Sequence, residues 1–283
     1  MNVAALGDKI PSNLRRAIRN ADHTFFIKPN AASEAFIWSS PDHLRQAKKA
    51  FALGTPVFYA GIPEGLSKAT PLFDAARDGK TLLYVPYARR FSGPFATLAS
   101  QVIAGSVGDT GFIKIHSNQP IPRGVSVGSS KLCNAVVWNS LLHDIDWLQQ
   151  HFGPIRKVFC QGVAKSRPKL EYVMATFTLK GGVIAQVIHS YQSHGESMVR
   201  AEISGTSGIV QYDSTVGPIR QHGSKNAAAP SNTNTDWSSH WSAFETAIQR
   251  RTISTKATKS FSDPVHIAGL AIESMRTGAP QGV

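Results

Sequence analysis

Five β-type runs follow one another between residues 156 and 212 with only turn signals between them. They are Arg156–Ala164, Leu170–Leu179, Val183–Tyr191, Val199–Ser204 and Gly208–Tyr212, and Gly181-Gly182 fits a hairpin turn. Parallel neighbours need a crossover of a dozen or more residues, and no such stretch separates these runs. This part of the chain is therefore expected to fold as a large, mainly antiparallel open sheet. The first part reads differently. Short apolar strands at Val3–Leu6, Thr24–Ile27, Ala35–Trp38, Pro56–Ala60 and Thr81–Val85 alternate with helical patterns. Leu14, Ala17 and Ile18 share one face of Pro11–Asn20. A second helix has Ser40 as N-cap, Pro41 in its first turn, Leu44, Ala47 and Phe51 inward, and Gly54 at its end. Strands separated by helices imply βαβ units and a parallel sheet. Between the two parts lie a helix at Phe95–Gly105, a strand start at Gly111–Ile115 and a polar loop at Asn118–Lys131. A helix at Trp138–Phe152 comes next, with Leu141, Ile145 and Leu148 inward. Residues 221–236 are polar without structure, and two helices close the chain at Ser239–Arg251 and Pro264–Thr277, the latter capped by Asp263.

The fold class is thus α/β, a small nucleotide-type domain over residues 1–88 and an α/β domain over 89–283. The chain has 283 residues and 42% hydrophobic content, which at ~150 residues per domain is one large domain or two, with no need of a metal or disulfide staple. No apolar run approaches the ~20 residues of a membrane span. Met1–Asn13 lacks a basic stretch followed by an apolar one, so no secretory signal is expected. Cys133 and Cys160 form no paired motif, which implies buried free thiols in a reducing, cytoplasmic setting. Lys+Arg number 30 against 18 Asp+Glu, a net charge of +12 that suits anionic small ligands. The charges are dispersed, in spots such as Arg15, Arg16 and Arg19 or Arg89 and Arg90, so nucleic acid is not an expected partner.

Three polar residues on the Trp138–Phe152 helix stand out. Asn139, His143 and Asp146 fall on one stripe at i, i+4 and i+3 spacing, pointing away from Leu141, Ile145 and Leu148. A histidine there, titrating near neutral pH, is a candidate general acid/base. The alternative is an ordinary polar helix face. His189, His194 and Glu196 have no established metal-ligand spacing, so no metal is expected.

Several stretches, in order, resemble the glucose–fructose oxidoreductase and inositol dehydrogenase (Gfo/Idh/MocA) family. They are Ser40-Pro41 with His43, Ala52-Leu53-Gly54, Tyr87-Ala88-Arg89-Arg90-Phe91, Ile103 to Gly108, Leu142-His143-Asp144-Ile145-Asp146, Ile203 to Gly208 and Ala271 to Gly278. The resemblance implies a Rossmann domain, an α/β domain with a large open sheet often used for dimerisation, and an NAD- or NADP-dependent dehydrogenase or reductase of sugar-like substrates. It implies cofactor contacts at Gly7, Ser39, Ser40, Pro41, His43 and Gly61, a catalytic role for His143 with Asn139 and Asp146, a sugar-like or anionic small-molecule ligand, and a homo-oligomer. The sequence also departs from the pattern. Gly-x-Gly-x-x-Gly is replaced by Leu6-Gly7-Asp8-Lys9-Ile10-Pro11, the first half is short, and the Glu-Lys-Pro element reads Ala60-Gly61-Ile62-Pro63. Asn139 stands where a carboxylate is usual. Three readings are open: an NAD(P)-dependent oxidoreductase with a non-standard cofactor grip, a non-redox enzyme on the same fold, and a catalytically silent binding or assembly subunit.

Overall fold

The computed structural model describes residues 1–6, 10–21, 23–26, 34–38, 44–60, 66–128, 133–192, 196–222, 236–250 and 255–283. The chain divides into two compact units. The first comprises Met1–Ala88 and Thr235–His266, the second Arg89–Asn234 and Ile267–Val283. The contiguous 1–88 and 89–283 partition thus differs at one place: a C-terminal segment returns to the first unit.

In chain order the first unit contributes β1 (Asn2–Leu6), α1 (Ser12–Asn20), β2 (Thr24–Phe26), β3 (Ala35–Trp38), α2 (Leu44–Ala52), β4 (Val57–Tyr59), α3 (Leu66–Asp78) and β5 (Leu83–Tyr84). Its five strands pair in the order β2-β1-β3-β4-β5, and every pair is parallel. The order reverses between β1 and β3, where Leu6 pairs with Trp38. Leu14, Ala17 and Ile18 are buried, as the helical period of α1 requires. The helix α3, absent from the sequence reading, carries Pro71, a residue that argues against helix in a propensity count. The expected N-cap at Ser40 and Pro41 lies outside the described residues.

The second unit opens at Arg89, inside a 3-10 turn over Ala88–Phe91, followed by α4 (Gly93–Ile103) and β6 (Thr110–Pro120). Next come α5 (Asn134–Val136), a π-helical segment Val137–Leu141, and α6 (Leu142–Phe152). Six strands succeed it: β7 (Ile155–Ser166), β8 (Lys169–Leu179), β9 (Ile184–Gln192), β10 (Met198–Gly205), β11 (Gly208–Asp213) and β12 (Gly217–His222). The chain ends in α7 (Trp237–Gln249), α8 (Thr255–Thr277) and β13 (Gln281–Gly282). The sheet has eight strands in the order β12-β11-β10-β6-β9-β8-β7-β13, antiparallel except for the central β6–β9 pair. Gly181 and Gly182, both with positive φ, turn β8 into β9. The expected polar loop from Asn118 starts later, because β6 continues through Pro120 alongside Gln192. The last helix also differs: α8 begins at Thr255 and runs through Pro264, losing one backbone hydrogen bond rather than ending there.

Each unit has its own core. In the first, Phe58 stacks on Tyr84 at 5.1 Å between ring centroids and meets Phe244 and Trp241 of α7. Asp236 caps that helix by accepting from the Ser238 and Ser239 amides. In the second, the buried faces of the sheet present Ile113, Ile115, Val173, Ala175, Phe177, Ala185 and Val187. Trp147 packs edge-on against Phe95 at 5.2 Å and donates its indole N–H to the Phe95 carbonyl. Ser274 on α8 accepts from the Cys160 amide and donates to the Ala279 carbonyl, fixing the helix end against β7.

Candidate functional site

A layer of polar and charged side chains is buried among the helical run Asn134–Phe152, strands β8 and β9 and the turn Ala88–Phe91. Its side chains, from Arg89 to Tyr191, all belong to the second unit. Strand alternation places Glu171 on β8 and His189 and Tyr191 on β9 at buried positions otherwise taken by Val173, Ala175, Ala185 and Val187. Buried polar groups require partners, and these have them. Glu171, fully buried, accepts from the Gly128 amide at 2.9 Å and the Val136 amide at 2.9 Å. It thereby supplies the start of the helical run with the cap that Cys133, in the left-handed region, does not. Tyr191 Oη and Ser140 Oγ are 2.8 Å apart, one hydroxyl donating to the other.

Two consecutive arginines meet two aspartates of α6. Arg90 grips Asp146 with two parallel bonds, Nε to Oδ2 at 2.8 Å and Nη2 to Oδ1 at 2.7 Å. Arg89 reaches Asp144 with Nε alone, at 2.9 Å to Oδ1, and its guanidinium lies over the Phe95 ring, 4.1 Å from the centroid. The second Asp144 oxygen is bonded to Nε2 of His189. Both carboxylates are fully buried. Burial pushes the Asp144 carboxyl up, but Arg89 and His189 outweigh it and hold the group below the usual carboxylate range. For Asp146 burial prevails over Arg90, and its carboxyl is raised.

His143 is buried in this layer. Burial first, and the Arg89 charge second, lower its imidazole from the ordinary value of 6.5 to about 4, against the opposing pull of Asp144. The ring is therefore neutral at physiological pH. This corrects the expectation of a surface histidine titrating near neutrality.

The Asn139/His143/Asp146 stripe is corrected as well. Stacking of 139 over 143 assumes 3.6 residues per turn, whereas Val137–Leu141 is π-helical, with i→i+5 bonding that shifts the phase of the residues after it. Asn139 spends its amide on the Ala135 carbonyl at 2.9 Å, and Asp146 is closed by Arg90. His143, the third of the stripe, lies buried beside Asp144. Sequence reasoning missed Arg89, Asp144, His189, Tyr191 and Glu171. Their signal was polar residues at core-register positions of otherwise apolar strands, beside an Arg-Arg pair matched by two aspartates two residues apart.

The expected cofactor residues Gly7, Ser39, Ser40, Pro41, His43 and Gly61 all lie outside the described residues. The described part of that region is the uncapped start of α1: Pro11 precedes Ser12 with no side-chain cap bond and no acidic residue in the first turn. Among the described residues no group of three or more His, Cys, Asp or Glu could hold a metal ion. Burial pushes the Cys133 and Cys160 thiols up to about 12, so neither is a nucleophile at neutral pH. No helix among the described residues is long and apolar enough to cross a membrane.

Known proteins resemble this chain in part of the second unit's sequence and in fold. Residues 95–211 match the GFO/IDH/MocA C-terminal domain. An uncharacterized oxidoreductase of Bacillus subtilis, YrbE, is 23% identical over 201 residues, spanning 69% of this chain and 56% of that protein. The chain thus spans little more than half the length of the curated relative it matches. A myo-inositol dehydrogenase from Corynebacterium glutamicum superposes with a TM-score of 0.77 at 15% identity, covering 100% of this chain and 98% of the other. A levoglucosan dehydrogenase solved with NADH and L-sorbose gives a TM-score of 0.71 at 14% identity, covering 100% and 89%. At such identities the structures show a shared fold.

Proposed function

We propose that this chain, which carries a GFO/IDH/MocA C-terminal domain over residues 95–211, is an NAD(P)-dependent oxidoreductase acting on a hydroxyl of a sugar-like substrate, with His143 as the proton acceptor. The observation that supports this reading most is the buried, neutral imidazole of His143 within a charge-compensated polar layer. Oxidation of an alcohol releases a hydride from carbon and a proton from oxygen. A neutral imidazole has the free lone pair that such a proton needs, which an imidazolium lacks, although a pKa lowered to about 4 makes it a weaker base than an ordinary histidine. Arg89 and Asp144 supply ordered charges around it, and His189 holds the second Asp144 oxygen, all oriented before substrate arrives.

When bound, an oxidised nicotinamide supplies the hydride acceptor. The first unit fits such a dinucleotide in outline. Its parallel sheet reverses order between β1 and β3, the place where open α/β sheets bind ligands, and α1 begins there with amides that no side chain caps. The glycine-rich turn is missing from the sequence, so the grip on the pyrophosphate is weaker than that of an intact fingerprint. Calorimetric titration of the purified protein with NAD(H) and NADP(H) tests the reading. Measurable binding of one of them, with turnover of a sugar alcohol that is lost in His143→Gln, is the expected result. Absence of any dinucleotide binding would overturn it in favour of a non-redox enzyme or a silent subunit.

The solvent face of the large sheet fits a second copy of the chain. Ile184, 44% exposed, Tyr172, 39%, and Val163, 51%, stand on adjacent strands, with half-buried Met174 and Ile188 between them.

A further inference from the structure

We propose that Arg89 is the ligand-binding cation of the His143 site, and that the substrate it selects carries a carboxylate, as a uronic or aldonic acid does. This rests on the oxidoreductase reading of the same site and narrows its substrate class.

The two neighbouring arginines provide the comparison. A guanidinium has five N–H donors arranged as a fork that matches a planar carboxylate. Arg90 closes its fork on Asp146 with two bonds. Arg89 does not: Asp144 takes only its Nε, because the other carboxylate oxygen is held by His189. Asp144 cannot turn to satisfy both ends without abandoning the histidine. The two terminal nitrogens of Arg89, with four N–H donors, have no partner among the described residues.

This open fork is not a loose surface group. The Arg89 side chain is only 11% exposed, its face is covered by Phe95, and its one partner is fully buried. The terminal nitrogens are not among the fully buried atoms, so a ligand arriving from solvent can reach them while the rest of the side chain is held in place. Arg89 stands beside this site because its partner Asp144 is the residue after His143 on α6. A carboxylate gripped there would be anchored near the proton acceptor, and rigid anchoring of a non-reacting group is what orients a reacting hydroxyl. The net charge of +12 favours approach of an anionic substrate. Lysine would keep the charge but not the paired geometry.

The test is isothermal titration of the full chain with sodium D-glucuronate, D-glucuronamide and D-glucose at fixed ionic strength. Glucuronate should bind at least about tenfold more tightly than the other two, which should behave alike. In Arg89→Lys the preference for glucuronate over glucose should shrink, and in Arg89→Gln it should vanish. Equal affinities for the three ligands in the native protein overturn the proposal, and this arm depends on no variant folding. Retention of the native preference in Arg89→Gln overturns it too. Glucuronate binding without NAD(P)-dependent turnover keeps the inference and removes the oxidoreductase reading. Turnover confined to neutral sugars does the reverse.

Discussion

Lowering the pH from 8 to 5 should destabilise the native protein more than the His143→Gln variant. The folded chain holds His143 at about 4, and an ordinary histidine in the unfolded chain titrates at 6.5. Between those values the unfolded chain binds a proton that the folded chain refuses, so stability falls as pH drops through 6.5 and levels off below about 4. At pH 5 the difference in proton binding amounts to about 2 kcal/mol, and at full protonation of both states to about 3 kcal/mol. His143 is buried, so solvent screening does not reduce the figure substantially. The charged and titratable groups that act on it are Arg89, Asp144 and His189. His116 and His151, also lowered by burial, contribute equally to native protein and variant and cancel in the comparison. Melting curves of both proteins at pH 8 and pH 5 give the double difference, expected as roughly 4–8 °C for a chain of this size. The His143 ring resonances should stay at their neutral positions down to pH 5. A native protein and variant with the same pH dependence, or a ring that titrates near 6.5, would refute the neutral-acceptor argument. The variant should also lose turnover by roughly 10²–10⁴-fold, because glutamine cannot take the proton.

Asp146→Ala leaves the Arg90 guanidinium half-buried without its carboxylate, and thermal or denaturant melts should show a loss of about 3–5 kcal/mol. Gly128→Ala should fail to accumulate as folded protein, judged by circular dichroism and solubility: φ is +71° there, and a Cβ would sit 2.0 Å from the Lys165 carbonyl oxygen. Light scattering at high concentration should give a particle larger than the 30.5 kDa chain, and Ile184→Lys with Val163→Lys should return it to that mass. Calorimetry should place the dinucleotide dissociation constant above the low-micromolar range, since the sequence Leu6-Gly7-Asp8-Lys9-Ile10-Pro11 lacks the second and third glycines of the fingerprint.

The strands were legible in the sequence because a half-buried strand writes its period of two into the residue types. β9, by contrast, is apolar on both sides, with Ala185 and Val187 inward and Ile184 and Ile188 outward, so it is legible as a β-branched run after the Gly181-Gly182 turn and not by alternation. The helices were legible where one apolar face decides, as in α1 and α7, and not where proline intervenes, as in α3 and α8. The site was legible as a location but not as a chemistry. His143 could be found on its helix, yet a reading at 3.6 residues per turn has no sign for a π-helical segment. It therefore grouped His143 with Asn139 and Asp146, whose side chains are occupied by Ala135 and Arg90. The groups that set its proton affinity come from elsewhere in the sequence. Arg89 lies 54 positions before His143 and His189 lies 46 after it, joined only through Asp144. Local periodicity carries no information about such pairings. A polar residue in an apolar register does: His189 and Tyr191 interrupt an inward row of Ala185 and Val187, and burying them is tolerable only if a partner waits across the layer. The inward polar positions of β8 and β9 thus already ask for a facing helix that carries a carboxylate and a hydroxyl, and Asp144 and Ser140 are what that helix supplies.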